Sequence, residues 1–332
     1  MRRSNYLYAT GRIRSLENKL LDANDIERMI DAKDAQTAYK VFNDLSYADE
    51  LSDIESSEDY VQALDHDLMQ VKKVLAQVTP DEQLLKLLFS IYDFHNIKLF
   101  FKAKYLQKDF TKHESQLGNI NVANLKDAIM KEVKTSIPED ILGIIRDANK
   151  VFEKEKNGFI IDSYLDSKYF EFIKDVVKKI NNKFVNNLAK VWIDIGNVKI
   201  FLRAKKLGLE IDKINKYITE GGNILKTSLI NYYQKDLKEA VTICLRGFED
   251  TEIKEEIKNY SEGGDLWKLE KSFEDYEIKF IGGAKYIAYG PEVVIAYYLA
   301  KKNAVKNIRL VFTGKLNELK SAEIKERIRK LY

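Results

Sequence analysis

The sequence predicts an all-α protein in which one helical unit is used three times. Residues 93–104 recur 101 residues later at 194–205, and six of the twelve positions are identical. A weaker third match aligns 297–301 with 100–104. Repeats of about 100 residues are the usual size of an independently packed unit, so a chain of 332 residues accommodates three of them.

The use of proline supports the helical prediction. The chain has three prolines, and each stands where a helix is predicted to begin. Pro80 lies between Thr79 and two acids, which combines an N-cap residue, a proline in the first turn and negative charge at the positive end of the helix dipole. Pro138 and Pro291 are followed by acids in the same way.

Shorter segments follow the same logic. Apolar residues at helical spacing predict a helix over 6–21, and Asp25 is predicted to cap a second helix carrying the apolar residues of 26–30. The segment 305–312 is rich in strand-forming residues, but no breaker separates it from the helix before it. We therefore predict that it continues that helix. The segment 41–71 has nine acids and no Lys or Arg, and it is predicted to be partly loop.

Further matches place the unit boundaries. Gly118-Asn119-Ile120 recurs as Gly222-Asn223-Ile224, and Asp34 and Ala38 match Asp236 and Ala240 at twice the repeat offset. The predicted units are 1–112, 113–213 and 214–332.

The repeated helix carries polar residues on its apolar face. At 100° per residue, Asn96 falls within the apolar arc and Asp93 beside it, and Asn197 and Asp194 repeat this arrangement in the second copy. A buried carboxylate or amide is costly unless it is hydrogen-bonded. We expect each pair to make the same internal contact, for example with a neighbouring helix terminus. A catalytic role of the carboxylates is the less favoured alternative.

The opposite face of the repeated helix is basic in the first two copies. Four cations lie there: Lys98, Lys102, Lys199 and Arg203. They are candidates for a partner interface, and the alternative is solvated surface. In the third match, Ile295 and Leu299 take the places of the first two lysines, which predicts a helix buried on both sides.

No pattern for catalysis or cofactor binding stands out. The chain lacks a phosphate-binding loop and a dinucleotide fingerprint, and its three histidines and one cysteine are too scattered to predict a metal site. We expect a protein that needs no cofactor and that neither binds nor hydrolyses ATP alone. The net charge of +3 gives no field that would hold nucleic acid, and the single cysteine favours a reducing compartment.

Two segments carry a family resemblance. Residues 8–21 resemble the opening helix of the C subunit of the V-type and A-type rotary ATPases, which is called the d subunit in eukaryotes. Residues 290–301, followed by 305–309 and 314–317, resemble the C-terminal signature of that family. The repeated Asn-apolar-Lys helix is also similar, so the resemblance covers nearly the whole chain.

The resemblance implies a funnel of three related subdomains with pseudo-threefold symmetry. It also implies partners, namely the central shaft subunits and the membrane rotor ring, and a cytoplasmic position at the membrane reached only through the complex. The residues alone leave two alternatives, a generic helical adaptor and a nucleic-acid binder. The second is disfavoured because the charge is balanced and the aromatic residues fall mostly on apolar faces.

Overall fold

A computed structural model describes residues 3–44, 60–133 and 135–332. Within these ranges the chain forms α-helices and short 3₁₀ turns and contains no β-strand. The predicted all-α class is confirmed. The middle of the acidic segment predicted to be partly loop, 45–59, lies outside the described residues, and its ends, 41–44 and 60–71, are helical.

The described ranges contain sixteen α-helices. The first five are α1 (Leu7–Glu17), α2 (Ala23–Asp31), α3 (Ala35–Asp44), α4 (Tyr60–Val78) and α5 (Glu82–Leu106). The next five are α6 (Val122–Met130), α7 (Glu139–Glu155), α8 (Gly158–Ile180), α9 (Lys183–Lys206) and α10 (Ile211–Ile214). The last six are α11 (Lys226–Tyr233), α12 (Leu237–Cys244), α13 (Thr251–Ser261), α14 (Leu266–Ile281), α15 (Pro291–Leu316) and α16 (Ser321–Arg327).

The helices pack into two compact units. The terminal unit joins the described residues of Met1–Glu82 to Asp265–Tyr332, and the central unit is Gln83–Gly264. This division follows packing, whereas the division into 1–112, 113–213 and 214–332 follows sequence similarity and stays a prediction.

The terminal unit is built around α15. This helix packs against α1, α2, α3, α4 and α14, and every residue from Pro291 to Lys301 is buried. The burial predicted for Ile295 and Leu299 is confirmed, at 0% and 5% exposure. Further along the helix, the Phe312 ring stacks on Tyr60 with 4.9 Å between centroids.

The core of the central unit forms where α5 meets α6, α7 and α8. Its largest members are aromatic and aliphatic side chains of α5, including Phe94, Ile97, Phe100 and Phe101. These residues recur at helical spacing, so one face of α5 is continuously apolar.

The helix starts agree with the proline prediction at two of three positions. Pro291 opens α15 after Gly290, and Pro138 is the residue immediately before α7. At the third position α5 begins at Glu82, two residues after Pro80. The segment 305–312 lies inside α15, so its predicted continuation of that helix is confirmed.

The predicted N-cap of α2 is wrong by three residues. α1 ends at Glu17, earlier than predicted, and α2 is capped by Asp22 instead of Asp25. The Asp22 carboxylate accepts the N–H of Asp25 at 2.9 Å, and the Asp25 carboxylate accepts the N–H of Asp22 at 3.2 Å. Both acids therefore belong to one capping box, in which the earlier residue is the cap.

The match at twice the repeat offset has a structural counterpart. Asp34 and Asp236 each precede a helix, and their Oδ1 atoms accept the N–H three residues on, at 2.8 and 3.0 Å. Ala38 and Ala240 are both fully buried. Helices α3 and α12 therefore begin with the same cap and bury the same small residue.

Candidate functional site

The two predicted asparagines each bind both backbone polar groups of one loop residue. Asn96 donates from Nδ2 to the Ser115 carbonyl at 2.8 Å, and its Oδ1 accepts the Ser115 N–H at 2.9 Å. Asn197 binds Thr219 in the same way, at 2.8 and 2.9 Å. Both asparagines are 0% exposed. We call this two-bond arrangement the asparagine clamp, and it confirms the prediction that both residues are buried and equivalently bonded.

A third asparagine clamp lies at Asn307. Its Nδ2 donates to the Arg329 carbonyl at 3.0 Å, and its Oδ1 accepts the Arg329 N–H at 2.9 Å. The predicted third match aligned 297–301 with 100–104, which placed the counterpart of Asn96 at Val293. The clamp asparagine is Asn307, so the predicted register is wrong by 14 residues. In the corrected register 304–315 matches 93–104 at five of twelve positions.

The ends of the three clamp helices support the corrected register. The residues 11 positions after each clamp asparagine are Gln107, Gly208 and Glu318, and all three are left-handed, with φ of 52°, 64° and 55°. In each copy the next N–H returns to the carbonyl five residues earlier, at 3.3, 3.1 and 2.9 Å. This bond belongs to the Schellman ending of a helix, so α5, α9 and α15 end identically.

The repeated aspartates cradle the backbone just beyond each clamp. Asp194 accepts the N–H groups of Ile224 and Asn223 at 3.0 and 2.9 Å, and also the Asn223 side-chain amide at 2.9 Å. Asp93 accepts the Ile120 N–H at 2.9 Å. These bonds come from the backbone and the asparagine side chain of a loop rather than from a helix terminus.

The cradles explain why Gly-Asn-Ile is repeated. A Cβ on Gly118 would lie 2.2 Å from an Asp93 carboxylate oxygen, and one on Gly222 would lie 2.1 Å from that of Asp194. Only glycine leaves room for the carboxylate at this place.

The electrostatics of the cradle indicate a structural role. Burial raises the pKa of Asp194, while the hydrogen bonds from Ile224 and Asn223 and the charge of Lys190 act in the opposite direction. Three donors from the loop bind this carboxylate. They are the internal contacts that the structural interpretation of the aspartates predicts, and a catalytic role stays the less favoured alternative.

The third copy lacks the cradle aspartate on its clamp helix. Ala304 stands at the position of Asp93 and is buried. The N–H of Lys330 is instead accepted by Asp275 of α14 at 2.6 Å. The clamp is thus retained without the cradle aspartate, and Asp275 binds the residue directly after the clamped Arg329.

The four predicted interface cations lie against other parts of the central unit or beside its aromatic rings. Lys98 forms an ion pair with Asp166, and Lys102 lies 3.4 Å from Asp162, both on α8. Arg203 lies over the Phe159 ring, 5.2 Å from its centroid. The fourth cation, Lys199, is half-buried.

These contacts change the interpretation of the basic face. Lys98 is half-buried between helices rather than projecting into solvent, because α8 packs over it. Lys102 and Arg203 are exposed. A role for any of these cations at a partner surface stays a prediction.

A second set of lysines was missed from the sequence, although it recurs eight residues after each clamp asparagine. Lys104 binds the Glu132 carboxylate at 2.6 Å, and Lys205 donates to the Lys235 carbonyl at 2.7 Å. Lys315 donates to the Ala32 carbonyl at 2.5 Å. These acceptors follow α6, α11 and α2, respectively. Each clamp helix therefore ends beside the C-terminal end of a short helix. For α5 and α9 this short helix follows in the chain, whereas for α15 it is α2, near the start of the chain.

Ion pairs on two of the clamp helices, α5 and α15, correspond in the same register. Arg309 stands in α15 where Lys98 stands in α5, and it lies 3.0 Å from Asp65 of α4. The partner of Lys98, Asp166, lies 101 residues after Asp65. α5 therefore contacts α8 and the residues directly after α6. In the same way, α15 contacts α4 and the residues directly after α2.

In the described ranges, no group of three or more histidine, cysteine, aspartate or glutamate side chains is arranged to hold a metal ion. Cys244 is buried, and desolvation raises the pKa of its thiol. Among the described helices, none has the combination of length and apolar character needed to cross a bilayer.

The fold and the clamps define an all-helical repeat protein in which buried polar side chains hold loop backbone in place. Residues 9–327 match the family model described as ATP synthase (C/AC39) subunit, and the chain belongs to this family. The predicted resemblance is confirmed.

Curated relatives align over nearly the whole chain. The C subunit of the A-type ATP synthase of Methanocaldococcus jannaschii is 26% identical, with 96% of this chain and 85% of the relative aligned. The C subunit of the V-type sodium ATPase of Enterococcus hirae is 23% identical, with 96% of this chain and 97% of the relative aligned. The C subunit of the A-type ATP synthase of Pyrococcus abyssi is 24% identical, with 98% and 90% aligned.

Proposed function

We propose that the chain is a non-catalytic subunit of a V/A-type rotary ATPase that links the central shaft to the membrane rotor ring. In this role it couples ATP hydrolysis or synthesis to proton or sodium translocation. The observation that carries the proposal is the threefold recurrence of the clamp helix in a member of this family. A generic helical scaffold is the alternative.

The cyclic contact pattern supports a closed arrangement. Helices α5 and α9 each contact residues that follow them in the chain, whereas α15 contacts α2 and α4 at the start of the chain. A linear array would leave the last clamp helix without such a partner. We infer three related subdomains, 1–112, 113–213 and 214–332, arranged as a funnel with pseudo-threefold symmetry.

The clamps suit a part that transmits torque. Each one fixes a loop to a helix by two hydrogen bonds from a buried side chain, and a buried network that is fully satisfied resists deformation. Stiff walls let rotation of a shaft reach a ring without being lost in bending. In this function the chain needs no cofactor, and it reaches the cytoplasmic face of the membrane only through the complex.

The test of this function is co-purification in detergent of the full chain with the rotor ring and the shaft subunits. We expect a stoichiometric complex containing all three parts. A chain that is folded yet binds neither ring nor shaft would favour the generic scaffold. Retention on heparin, lost with added salt, would favour the nucleic-acid alternative.

The exposed cations Lys102 and Arg203 are the sharper test of a partner surface, because reversing Lys98 would also disrupt a half-buried ion pair. Reversing both exposed residues to Glu is expected to weaken assembly by about 0.2–1 kcal/mol per charge, and the effect should fade with salt. The matched control reverses Lys154 and Lys213, two exposed lysines of the same unit. Equal affinities of the two variants would assign Lys102 and Arg203 to solvated surface.

A further inference from the structure

A basic cleft lies at the turn between α8 and α9, within the central unit. Its volume is about 660 Å³. Four lysines line it: Lys174, Lys178, Lys183 and Lys190. No acidic and no aromatic side chain is among the lining residues.

The positive charge of the cleft is largely uncompensated. In the part of the chain that the structure describes, none of the four lysines forms an ion pair, in contrast to Lys98 and Lys102 on α5. The charge of Lys190 is partly compensated, because it acts on the carboxylate of Asp194, where burial raises the pKa and the Lys190 charge acts to lower it. Three ammonium groups therefore share one concave surface that no acidic side chain lines, and an anion bound among them would relieve their mutual repulsion.

The backbone adds to the attraction for an anion. Asn182 and Lys183 at the cleft are the N-cap and the first residue of α9, a helix of 24 residues. The positive end of its dipole and its first N–H groups lie beside the lysines. Asn181 and Asn186 are also among the lining residues, and an asparagine amide can donate hydrogen bonds to an anion.

The position of one lysine depends on a glycine. Gly221 has a φ of +108°, and a Cβ there would come within 3.2 Å of the Lys174 Cε. This conformation is one that side-chain-bearing residues rarely adopt. The turn at Gly221 therefore makes room for the lysine stem along the wall of the cleft.

The first copy of the repeat shows that the fold does not require this charge. The residues 101 positions earlier are Lys73, Gln77, Glu82 and Phe89. Asp81 stands where Asn182 stands in the second copy. The same pair of helices thus carries a mixed, partly acidic turn in copy one and an all-basic turn in copy two.

From this geometry we propose that the cleft binds a small anion carrying two or more phosphate groups. Lysine ammonium groups are mobile point charges suited to phosphate oxygens. The absence of an aromatic side chain from the lining leaves no platform for a nucleobase, so recognition is confined to the phosphates. This inference is independent of the proposed role in the rotary complex. It revises the expectation that ATP does not bind, since ATP can enter by its phosphates alone.

The test is isothermal titration calorimetry of the full chain with inorganic pyrophosphate, at about 0.05 and 0.3 M KCl. The cleft variant is Lys178→Gln with Lys183→Glu, which installs the residues of the first copy. The control is Lys154→Gln with Lys213→Glu, which changes the net charge equally at exposed sites outside the cleft. Circular dichroism verifies that both variants are folded.

We expect wild type to bind pyrophosphate more tightly than orthophosphate, and more weakly at the higher salt. The cleft variant should bind about tenfold more weakly or worse, and the control should change by less than about twofold. If the cleft variant does not fold, Lys183→Gln alone should still weaken binding. Absence of binding by wild type, or equal losses in the two variants, would overturn the proposal.

Further arms distinguish the source of the phosphate. Binding of inorganic triphosphate and ATP with equal affinity supports free polyphosphate recognition without a base. Binding to vesicles that contain phosphoinositide, if it is competed by pyrophosphate and lost in the cleft variant, supports a lipid headgroup as the source. If the cleft variant loses the shaft or ring subunits while wild type binds no pyrophosphate, the proposal is overturned in favour of an acidic protein partner.

Discussion

Replacing Asn197 by leucine tests whether the asparagine clamps hold the fold together. The substitution removes both partners of the Thr219 backbone, which is only 6% exposed. Each buried group left without a partner costs about 1–3 kcal/mol, so two groups give about 2–6 kcal/mol. Burying the leucine side chain offsets about 1.5–3 kcal/mol of this. The midpoints of the two ranges, about 4 and about 2 kcal/mol, leave an expected net loss of about 2 kcal/mol in the free energy of unfolding.

The equivalent substitution at Asn96 provides a comparison within the same chain. Its partner Ser115 is partly exposed, so water can satisfy the released groups, and a smaller loss is expected. The assay is urea unfolding of the full chain followed by circular dichroism, with the midpoint and slope fitted for each variant. Asn259→Leu, at an exposed position, is the control and should change stability by less than about 0.5 kcal/mol. If Asn197→Leu is no less stable than Asn96→Leu, the argument from burial is wrong.

Three further predictions concern glycine, pH and catalysis. Gly222→Ala should destabilise the protein, because the added Cβ would lie 2.1 Å from an Asp194 carboxylate oxygen. Gly143→Ala, inside α7, should instead stabilise it by about 0.5–1 kcal/mol. Thermal unfolding of both variants checks this difference. Burial acts to raise the pKa of Glu274, but the charges of Lys306 and Arg329 outweigh it and hold the pKa below its ordinary value. Its contribution to stability is therefore complete above about pH 4.5 and is lost as the pH falls through the lower folded-state pKa, so the stability of Glu274→Gln should decline less with acid in urea unfolding at about pH 3–6. The isolated protein should release no phosphate from ATP, and turnover by chain free of other subunits would contradict this.

The helical class and two of the three clamps could be predicted from the sequence because both leave a local signal. Helical periodicity places Asn96 and Asn197 on an apolar face, and a buried amide requires partners. The partners themselves, at Ser115 and Thr219, could not be predicted. They are backbone groups 19 and 22 residues away, and any residue type can supply them.

The basic face was only partly predicted for a related reason. A helical wheel assigns Lys98 to the side away from the apolar arc, which reads as solvent when one helix is considered alone. In the structure α8 covers that side and supplies Asp162 and Asp166. A helical wheel does not show which neighbouring helix packs on the polar face of the helix. It therefore cannot distinguish an exposed cation from one that forms an ion pair with a neighbour.

The misplaced third copy shows which part of the repeat is under the strongest physical constraint. The alignment through 297–301 followed side-chain identity, whereas the clamp at Asn307 follows the backbone contact. The aspartate of the cradle is replaced by Ala304 in the third copy, where Asp275 on a neighbouring helix accepts the N–H of Lys330 beside the clamped Arg329. Replacing the asparagine is harder, since a single side chain must both donate to a carbonyl and accept from the N–H of the same residue. An amide does this in one rigid plane, and an ionised carboxylate lacks the donor. The asparagine therefore recurs in all three clamp helices while its neighbours change, and a search of a helical repeat for buried amides on apolar faces should find copies that identity alone misses.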